Sequence, residues 1–484
     1  MPQILSHPQS RTVELKPICV DLDGTLVKSD TLIDSLLVLT RAHPRLLFLL
    51  PGQVLRGKAA FKAFVTEHVS LDVAHLPYNR KLLQFLQQEH THGRKIFLAT
   101  GADVRLARRV ADHLGFFDGV LGSDGANNLT GNRKLDGLRN QLGNSDFVYV
   151  GNDVPDLPLM VGAAESMVAN PSLRLRRKLR ARGIVPSRSF VERSRPLKTI
   201  AKALRPHQWA KNLLVFLPTL LAHNHSIHLL ISSFVAFLCL CCTASGTYMV
   251  NDLLDIEADR RNIKKRLRPF ASGDLAPATG LVAVVLLLAM GLAGAQLLPA
   301  AFSLWLLTYL ASTFLYSLYL KRIALVDVVV LSGLYTLRLL AGGAATGTTI
   351  SHWLAGFAIF LFLSLAIVKR FAELENLRLS GTQLKNGRGY LMSDIEQLRA
   401  FGTASAFAAV VVFANYISGP DVMALYQHPR RLWLIVPFMV LWLCRVWLLA
   451  SRGELDEDPV AFAITDAASL VMGVAVAAIV LLAI

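Results

Sequence analysis

A chain of 484 residues is too long for one ordinary domain, and its 53% hydrophobic against 17% charged residues is the balance of a membrane protein. The formal charge of +16 is uneven, with 13 Lys or Arg and one acidic residue, Glu192, between Arg174 and Lys211. Five cysteines exclude a disulfide framework: Cys19 falls in a predicted buried strand, and Cys239, Cys241, Cys242 and Cys444 fall in apolar runs. The first residues, MPQILSHPQSRTVELKP, contain no apolar stretch of signal-peptide type, so no cleaved leader is expected.

The first predicted element is the short apolar run PICVDL at 17–22, which ends in DLDGTL. Similar runs follow at 95–100, KIFLAT, and 146–151, DFVYVG, and each stops at small or polar residues. Between them lie helical patterns such as LLQFLQQEH and VRLARRVADHLG. Strands alternating with helices predict a Rossmann-like α/β fold with a parallel sheet. Residues about 30–90 are helical in pattern and interrupt the alternation, which predicts an inserted helical cap. In an open parallel sheet, ligands bind beyond the carboxyl ends of the strands. Asp21 and Asp23 are delivered there by the first run, Thr100 by the second, and Asp153 and Asp156 by the third, with Lys134 in a basic patch between the last two. Carboxylates beside one lysine and one hydroxyl suit Mg²⁺ and a phosphate. One carboxylate could attack phosphorus, and its neighbour two residues on could protonate the leaving oxygen.

These motifs resemble the haloacid dehalogenase (HAD) superfamily of phosphatases, over about residues 15–172. The resemblance implies that Asp21 is the nucleophile, that Asp23 is the acid/base, and that Thr100 and Lys134 hold the phosphoryl group. The last acidic motif would complete a Mg²⁺ site. The family's usual G-D-x-x-x-D reads here Gly151-Asn152-Asp153-Val154-Pro155-Asp156, so Asn152 takes the first acidic place.

Residues 173–204 read as a basic linker at the membrane surface. Because it precedes a membrane span, its expected partner is the anionic headgroups of membrane lipids, not nucleic acid. Nine candidate spans follow within 205–484, at about 208–222, 227–250, 277–298, 299–318, 324–344, 353–372, 398–418, 430–450 and 466–484. The first is short. Alternate connections are basic: Arg260, Arg261, Lys264, Lys265, Arg266 and Arg268 in the first, Lys321 and Arg322 in the next, then Lys369, Arg370, Arg378, Lys385, Arg388 and Arg399. The opposite connections are nearly uncharged apart from Arg430 and Arg431. By the positive-inside rule, the basic loops and the α/β domain share the cytoplasmic side of a bacterial inner membrane.

The connection 251–276 opens N-D-L-L-D-I-E-A-D-R-R-N. Asp252, Asp255 and Asp259, at i, i+3 and i+7, are expected on one face of a helix. Three such carboxylates call for a cation between them, and Mg²⁺ carrying a diphosphate is the natural partner. Arg260, Lys264 and Arg268 would neutralise the remaining phosphate oxygens. Gly342 and Gly343 read as close helix packing.

Asn251 to Asp259 resemble the first acidic motif of the UbiA superfamily of membrane prenyltransferases, N-D-x-x-D-x-x-x-D, and the resemblance covers about 200–484. It implies a nine-helix transmembrane bundle with a central cavity. Where the family carries a second acidic motif, this chain reads K-R-F-A-E-L-E-N-L at 369–377, with Lys369, Arg370 and Glu373, which points to a different donor. The segments R-P-H-Q-W-A-K-N at 205–212, Y-S-L-Y-L-K-R at 316–322 with Asp327, and D-P-V-A-F-A-I-T-D at 458–466 look like one branch, the decaprenyl-phosphate phosphoribosyltransferases. That branch moves 5-phosphoribose from phosphoribosyl pyrophosphate (PRPP) to a polyprenyl phosphate. The implied substrate-binding residues are Lys211, Asn212, Tyr316, Lys321, Asp327, Lys369, Arg370 and Glu373.

The expectation is thus a bifunctional enzyme that is Mg²⁺-dependent in both domains. The transferase half would make polyprenyl-phosphoryl 5-phosphoribose, and the HAD half would remove its 5-phosphate, toward an arabinofuranose donor for cell-envelope glycans. The alternative is a UbiA-type prenyltransferase with an aromatic acceptor and an unrelated phosphatase domain. A homo-oligomer is left open.

Overall fold

The computed structural model describes residues 15–143, 145–192, 196–223, 226–379, 389–455 and 459–484. Lys385, Arg388 and Asp458 of the sequence analysis lie outside these. By its contacts the chain divides into two units: Met1–Ala203 with Met249–Val282, and Leu204–Tyr248 with Ala283–Ile484.

In the first unit, six strands form one sheet: β1 Ile18–Val20, β2 Ile96–Asp103, β3 Gly119–Ser123, β4 Val148–Gly151, β5 Glu165–Ala169 and β6 Arg188–Phe190. Their order is β3-β2-β1-β4-β5-β6, and every pairing is parallel. The three runs expected as strands are β1, β2 and β4, side by side at the centre. Both faces are covered. Ile18, Val20, Ile96 and Leu98 pack with Leu82, Phe85, Leu86 and Val110 on one side. Cys19, Ala99 and Tyr149 pack with Leu138, Leu157 and Leu175 on the other. Burial on both faces is why these strands read as continuous apolar runs.

Within residues 30–90 the structure separates two parts. Helix Thr31–Ala42 and the stretch after helix Lys58–His68 form a small cluster of Leu39, Val69 and Leu71 that is completed by Leu106 of helix Val104–Leu114. Helix Arg80–Thr91 instead lies on the sheet through Leu82, Phe85 and Leu86. The basic stretch after residue 172 also joins the fold. Leu175 and Leu179 of helix Leu173–Ala181 enter the core, and Arg188–Phe190 is the edge strand. Composition masks both, because Arg188 and Ser189 are exposed and only Phe190 is buried.

Seven helices of the described residues are long and apolar enough to cross a membrane: Ile227–Leu254, Pro277–Ala295, Ala300–Leu318, Val326–Thr346, His352–Leu379, Met392–Ile417 and Pro429–Ser451. The chain is an integral membrane protein. Two of the nine expected spans differ. Ala467–Ala483 is apolar but shorter. Residues 208–222 form a 3₁₀ segment, Pro206–Phe216, and a five-residue helix, Leu217–Leu221. Each piece begins with a proline in its first turn, which suits a helix start and not a helix interior.

In the second unit one core cluster joins Val215, Cys239, Leu240, Phe302, Leu306 and Leu334. Another joins Phe362, Leu365, Phe371, Leu398, Leu443 and Trp447. Gly342 lies so close to Val215 that a Cβ there would stand 2.3 Å from its carbonyl oxygen, the close packing expected of this glycine.

Candidate functional sites

Beyond the carboxyl ends of β1 and β4 lies a cavity of about 480 Å³ whose lining includes Asp21, Asp23, Lys134, Asn152, Asp153 and Asp156. The turn after β1 needs Gly24, which has φ +71°, and Asn152 packs directly on it. Lys134 is buried and bridges two carboxylates, with Nζ 3.0 Å from Asp21 Oδ1 and 3.0 Å from Asp156 Oδ1. Asp156 is held further by the Tyr149 hydroxyl at 2.7 Å and the Asn152 backbone N–H at 3.0 Å. Asp23 accepts from the Thr31 N–H at 2.8 Å, and Asp153 from the Ser172 hydroxyl at 2.6 Å.

Burial sets the electrostatics. It pushes the Asp21 carboxyl up to about 6, against the pull of the Lys134 ammonium. Burial, then the Asp30 charge, pushes Asp23 up to about 8. Burial acts the same way on Asp156, but Lys134 and Tyr149 outweigh it and hold it below the usual range. Lys134 is driven above its ordinary value, because Asp21 and Asp156 outweigh its own desolvation. Asp156 therefore braces Lys134, while Asp21, Asp23 and Asp153 remain as oxygen donors of the kind a hard divalent cation takes.

Thr100 is fully buried and its hydroxyl accepts from the Ala102 N–H at 3.0 Å; the cavity wall there is Gly101 and Ala102. Sequence reasoning missed Lys62, which also lines the cavity. Its ammonium donates to Gly101 O at 2.6 Å and Asn128 Oδ1 at 2.8 Å, and burial lowers its pKa. It stands in no motif, and only the folding-back of the inserted helices brings it in.

The acidic segment belongs to the same unit. It is not one continuous helix: Ile227–Leu254 ends, Asp255 forms a turn, and Ile256–Arg261 begins. Asn251 O accepts from the Asp255 N–H at 2.9 Å. Asp252 and Asp259, both buried, share Arg268 Nη1 at 3.0 and 2.7 Å. Asp255 turns instead to Arg41 of helix Thr31–Ala42, at 2.6 Å. Arg260 is buried against Asp34 of that helix at 2.8 Å and Ser29 Oγ at 3.1 Å. Lys264 is exposed, at the start of a short turn. Burial raises the Asp259 carboxyl. Among the described residues no three His, Cys, Asp or Glu side chains stand together as a ready cage. The donor set nonetheless suits Mg²⁺, and a guanidinium already sits between two of its carboxylates.

In the second unit, four of the expected residues come together on Arg370, which is 1% exposed. Its Nε meets Asp327 Oδ2 at 2.6 Å, its Nη1 meets Glu373 at 2.8 Å, and its Nη2 meets the Tyr316 hydroxyl at 3.4 Å. Tyr390, not foreseen, donates to the other Asp327 oxygen. Lys369 precedes Arg370 on helix His352–Leu379, and Lys321 lies in the turn Leu320–Arg322. The other group holds Lys211 and Asn212. Lys211 Nζ lies 5.7 Å from the centre of the Tyr335 ring. Asn212 accepts from Arg338 Nε at 2.8 Å. Arg338 also lacked any motif: it is a single buried arginine in an apolar helix, over the Tyr309 and Tyr335 rings at 4.8 and 5.4 Å.

Known proteins match this chain along its length. A Sinorhizobium fredii protein described only as uncharacterized, y4nM, is 36% identical over 463 residues, 95% of this chain and 90% of its own. The nodulation protein NoeC of Azorhizobium caulinodans is 34% identical over 57% of this chain and 90% of its own length. The decaprenyl-phosphate phosphoribosyltransferase of Mycobacterium tuberculosis is 34% identical over 219 residues of the C-terminal part, 44% of this chain and 72% of its own length. The model of the UbiA prenyltransferase family matches residues 212–481, more than half of the chain. Asn212, Asp252, Asp327, Arg370 and Glu373 all fall within that match, and the chain belongs to the UbiA prenyltransferase family.

Proposed function

We propose that this transferase moves 5-phosphoribose from PRPP to a polyprenyl phosphate, and that its N-terminal domain is a HAD-type phosphatase that removes the 5-phosphate from the product. The pair would serve synthesis of an arabinofuranose donor for cell-envelope glycans, with the α/β domain and the basic loops on the cytoplasmic face of an inner membrane. The observation that carries the donor assignment is Arg370. At 369–377, where a second acidic motif would hold a second cation, Arg370 engages Glu373 together with Asp327 of the preceding membrane helix, and Glu375 pairs with Arg378. The phosphoribosyltransferase relatives support the same reading.

In transfer, an oxygen of the lipid phosphate attacks C1 of the ribose as the pyrophosphate leaves. Asp252, Asp255 and Asp259 would hold Mg²⁺, which would neutralise the departing pyrophosphate. Lys211, Lys321 and Lys369 would hold the remaining phosphate charge, and stabilising the developing charge would be the main catalytic contribution. In hydrolysis, Asp21 attacks phosphorus, and Asp23, whose raised pKa favours the protonated acid, gives its proton to the leaving oxygen; the Asp23 carboxylate so formed then takes a proton from a water that displaces Asp21 from phosphorus and frees phosphate. Lys134 neutralises the phosphoryl oxygens. Asp21 and Asp153 would hold Mg²⁺ there.

The test is purified protein with labelled PRPP and polyprenyl phosphate, followed by product analysis. Label in the lipid fraction, with Asp21-dependent release of phosphate, is the expected result. Tight Mg²⁺-dependent binding of geranyl diphosphate with none of PRPP would overturn the PRPP assignment and favour the aromatic-acceptor alternative.

A further inference from the structure

The first unit joins two pieces that are distant in sequence, and the join is built. Arg260 is buried and pairs with Asp34, whose side chain is fully buried. The same carboxylate takes the Ser29 hydroxyl at 2.7 Å, and Arg260 reaches that hydroxyl at 3.1 Å. Around this pair, Arg261 meets Asp72 at 2.7 Å, Glu257 accepts from the Asp72 N–H at 3.2 Å, and Arg41 meets Asp255 at 2.6 Å. Gly273, at φ +71°, lets the backbone in so closely that a Cβ there would lie 2.8 Å from Lys28 Cβ. A few residues on, Ala276 and Pro277 line the cavity of Asp21 and Asp23, beside Lys28, Ser29 and Thr31.

We propose that segment 249–282 is a working wall of the Asp21 cavity, locked there by Arg260 and Asp34, so that the cavity and the Asp252–Asp255–Asp259 cluster are occupied in turn. This rests on the phosphatase and diphosphate readings above. The lock uses helix Thr31–Ala42 at both ends. Its first turn, Thr31 to Ser35, lines the cavity, and its last turn carries Arg41. A cation with diphosphate draws Asp255 away from Arg41, and the helix keeps at that end only the longer 3.4 Å contact of Arg41 with the Leu254 carbonyl. The cavity wall loosens, and a phosphoryl group binds there less well. By linkage, a filled cavity disfavours diphosphate by the same factor. Arg260, Asp34 and Arg41 are positioning residues in this scheme.

The test uses the full-length chain in lipid nanodiscs, with orthovanadate as the probe of the cavity and Mg²⁺-pyrophosphate as the probe of the cluster, both followed by calorimetry. In the wild type, saturating pyrophosphate should weaken vanadate binding about five-fold or more, within the usual range of such couplings. Arg41→Gln, at a partly exposed site, should reduce that effect to less than two-fold. Arg260→Gln and Asp34→Asn should each weaken vanadate several-fold. Their combination, which removes both charges, should be no worse than the worse single variant. Vanadate binding that is indifferent to pyrophosphate, or equal in wild type and Arg260→Gln, overturns the lock and leaves the phosphatase reading standing. Vanadate that fails to bind the wild type at all removes that reading and the lock together.

Discussion

Asp21 and Asp23 differ in ways their spacing cannot express. Asp21 is braced by Lys134, and Asp23 is desolvated beside Asp30. Asp21→Asn is expected to abolish phosphate release while lipid-linked product still forms; loss of both would make separate sites untenable. The same two groups give a pH dependence. Both pKa values are raised on folding, so between about 4 and 8 these two groups bind more protons in the folded chain than in the unfolded one, and their contribution to stability falls as pH rises. In chelator, hydrogen-exchange protection of residues 18–24 should therefore decrease from pH 5 to pH 8. Added Mg²⁺ should restore it more at pH 8 than at pH 5; protection flat with pH would contradict the burial argument. The aspartates and the acidic segment were legible because each sits in a short motif at the end of an apolar run, and Lys134 because it stands in a basic patch between two such runs. Lys62, Arg338 and Tyr390 were not, because their roles come from partners far away in the chain.

Among elements, the acidic turn and the Arg370 cluster respond differently to mutation. Loss of one preorganised charged group typically costs about 10²–10³ in rate, so Asp255→Ala should cut lipid glycosylation by about that much. The protein should stay folded, since Asp255 is an exchangeable partner at a helix break. Near-wild-type turnover from a well-folded Asp255→Ala protein would remove the cation assignment. Asp327→Ala acts on stability instead. It leaves the buried Arg370 guanidinium with Glu373 but without its 2.6 Å partner, so the loss should fall below the roughly 3–5 kcal/mol of a buried charge left wholly unpaired. Denaturant unfolding in detergent should show that loss, and Asp327→Ala with Arg370→Met should recover much of it. If the single and double variants unfold alike, the pair is not what holds these helices. Element existence was readable from the length of the apolar runs, but the break at Asp255 was not. The i, i+3, i+7 spacing describes one face only of an unbroken helix, and here Asp255 turns to Arg41 while Asp252 and Asp259 share Arg268.

At the scale of the molecule, two domains were foreseen from composition, but the compact units do not follow the chain. The first takes residues 249–282 back from beyond a membrane-spanning helix, Ile227–Leu254. No composition shift marks that return; the pair Arg260–Asp34 is the buried part of the join. It also sets an order in time. A ribosome makes the chain from its N-terminus, so Asp34 and Ser29 exist long before Arg260, which lies 231 residues after Ser29. Until then Asp34 lacks the counter-charge that it has in the full chain, and a carboxylate kept buried in that state would cost several kcal/mol. A chain stopped at Ala203 should be less stable than the same piece with Asp34→Asn, measured by urea midpoint; equal midpoints would mean that water or local rearrangement satisfies Asp34. The Arg260–Asp34 pair can therefore form only after a membrane span, Ile227–Leu254, has been made. A chain stalled before residue 260 would also lack Ala276 and Pro277, two residues of the wall of the Asp21 cavity.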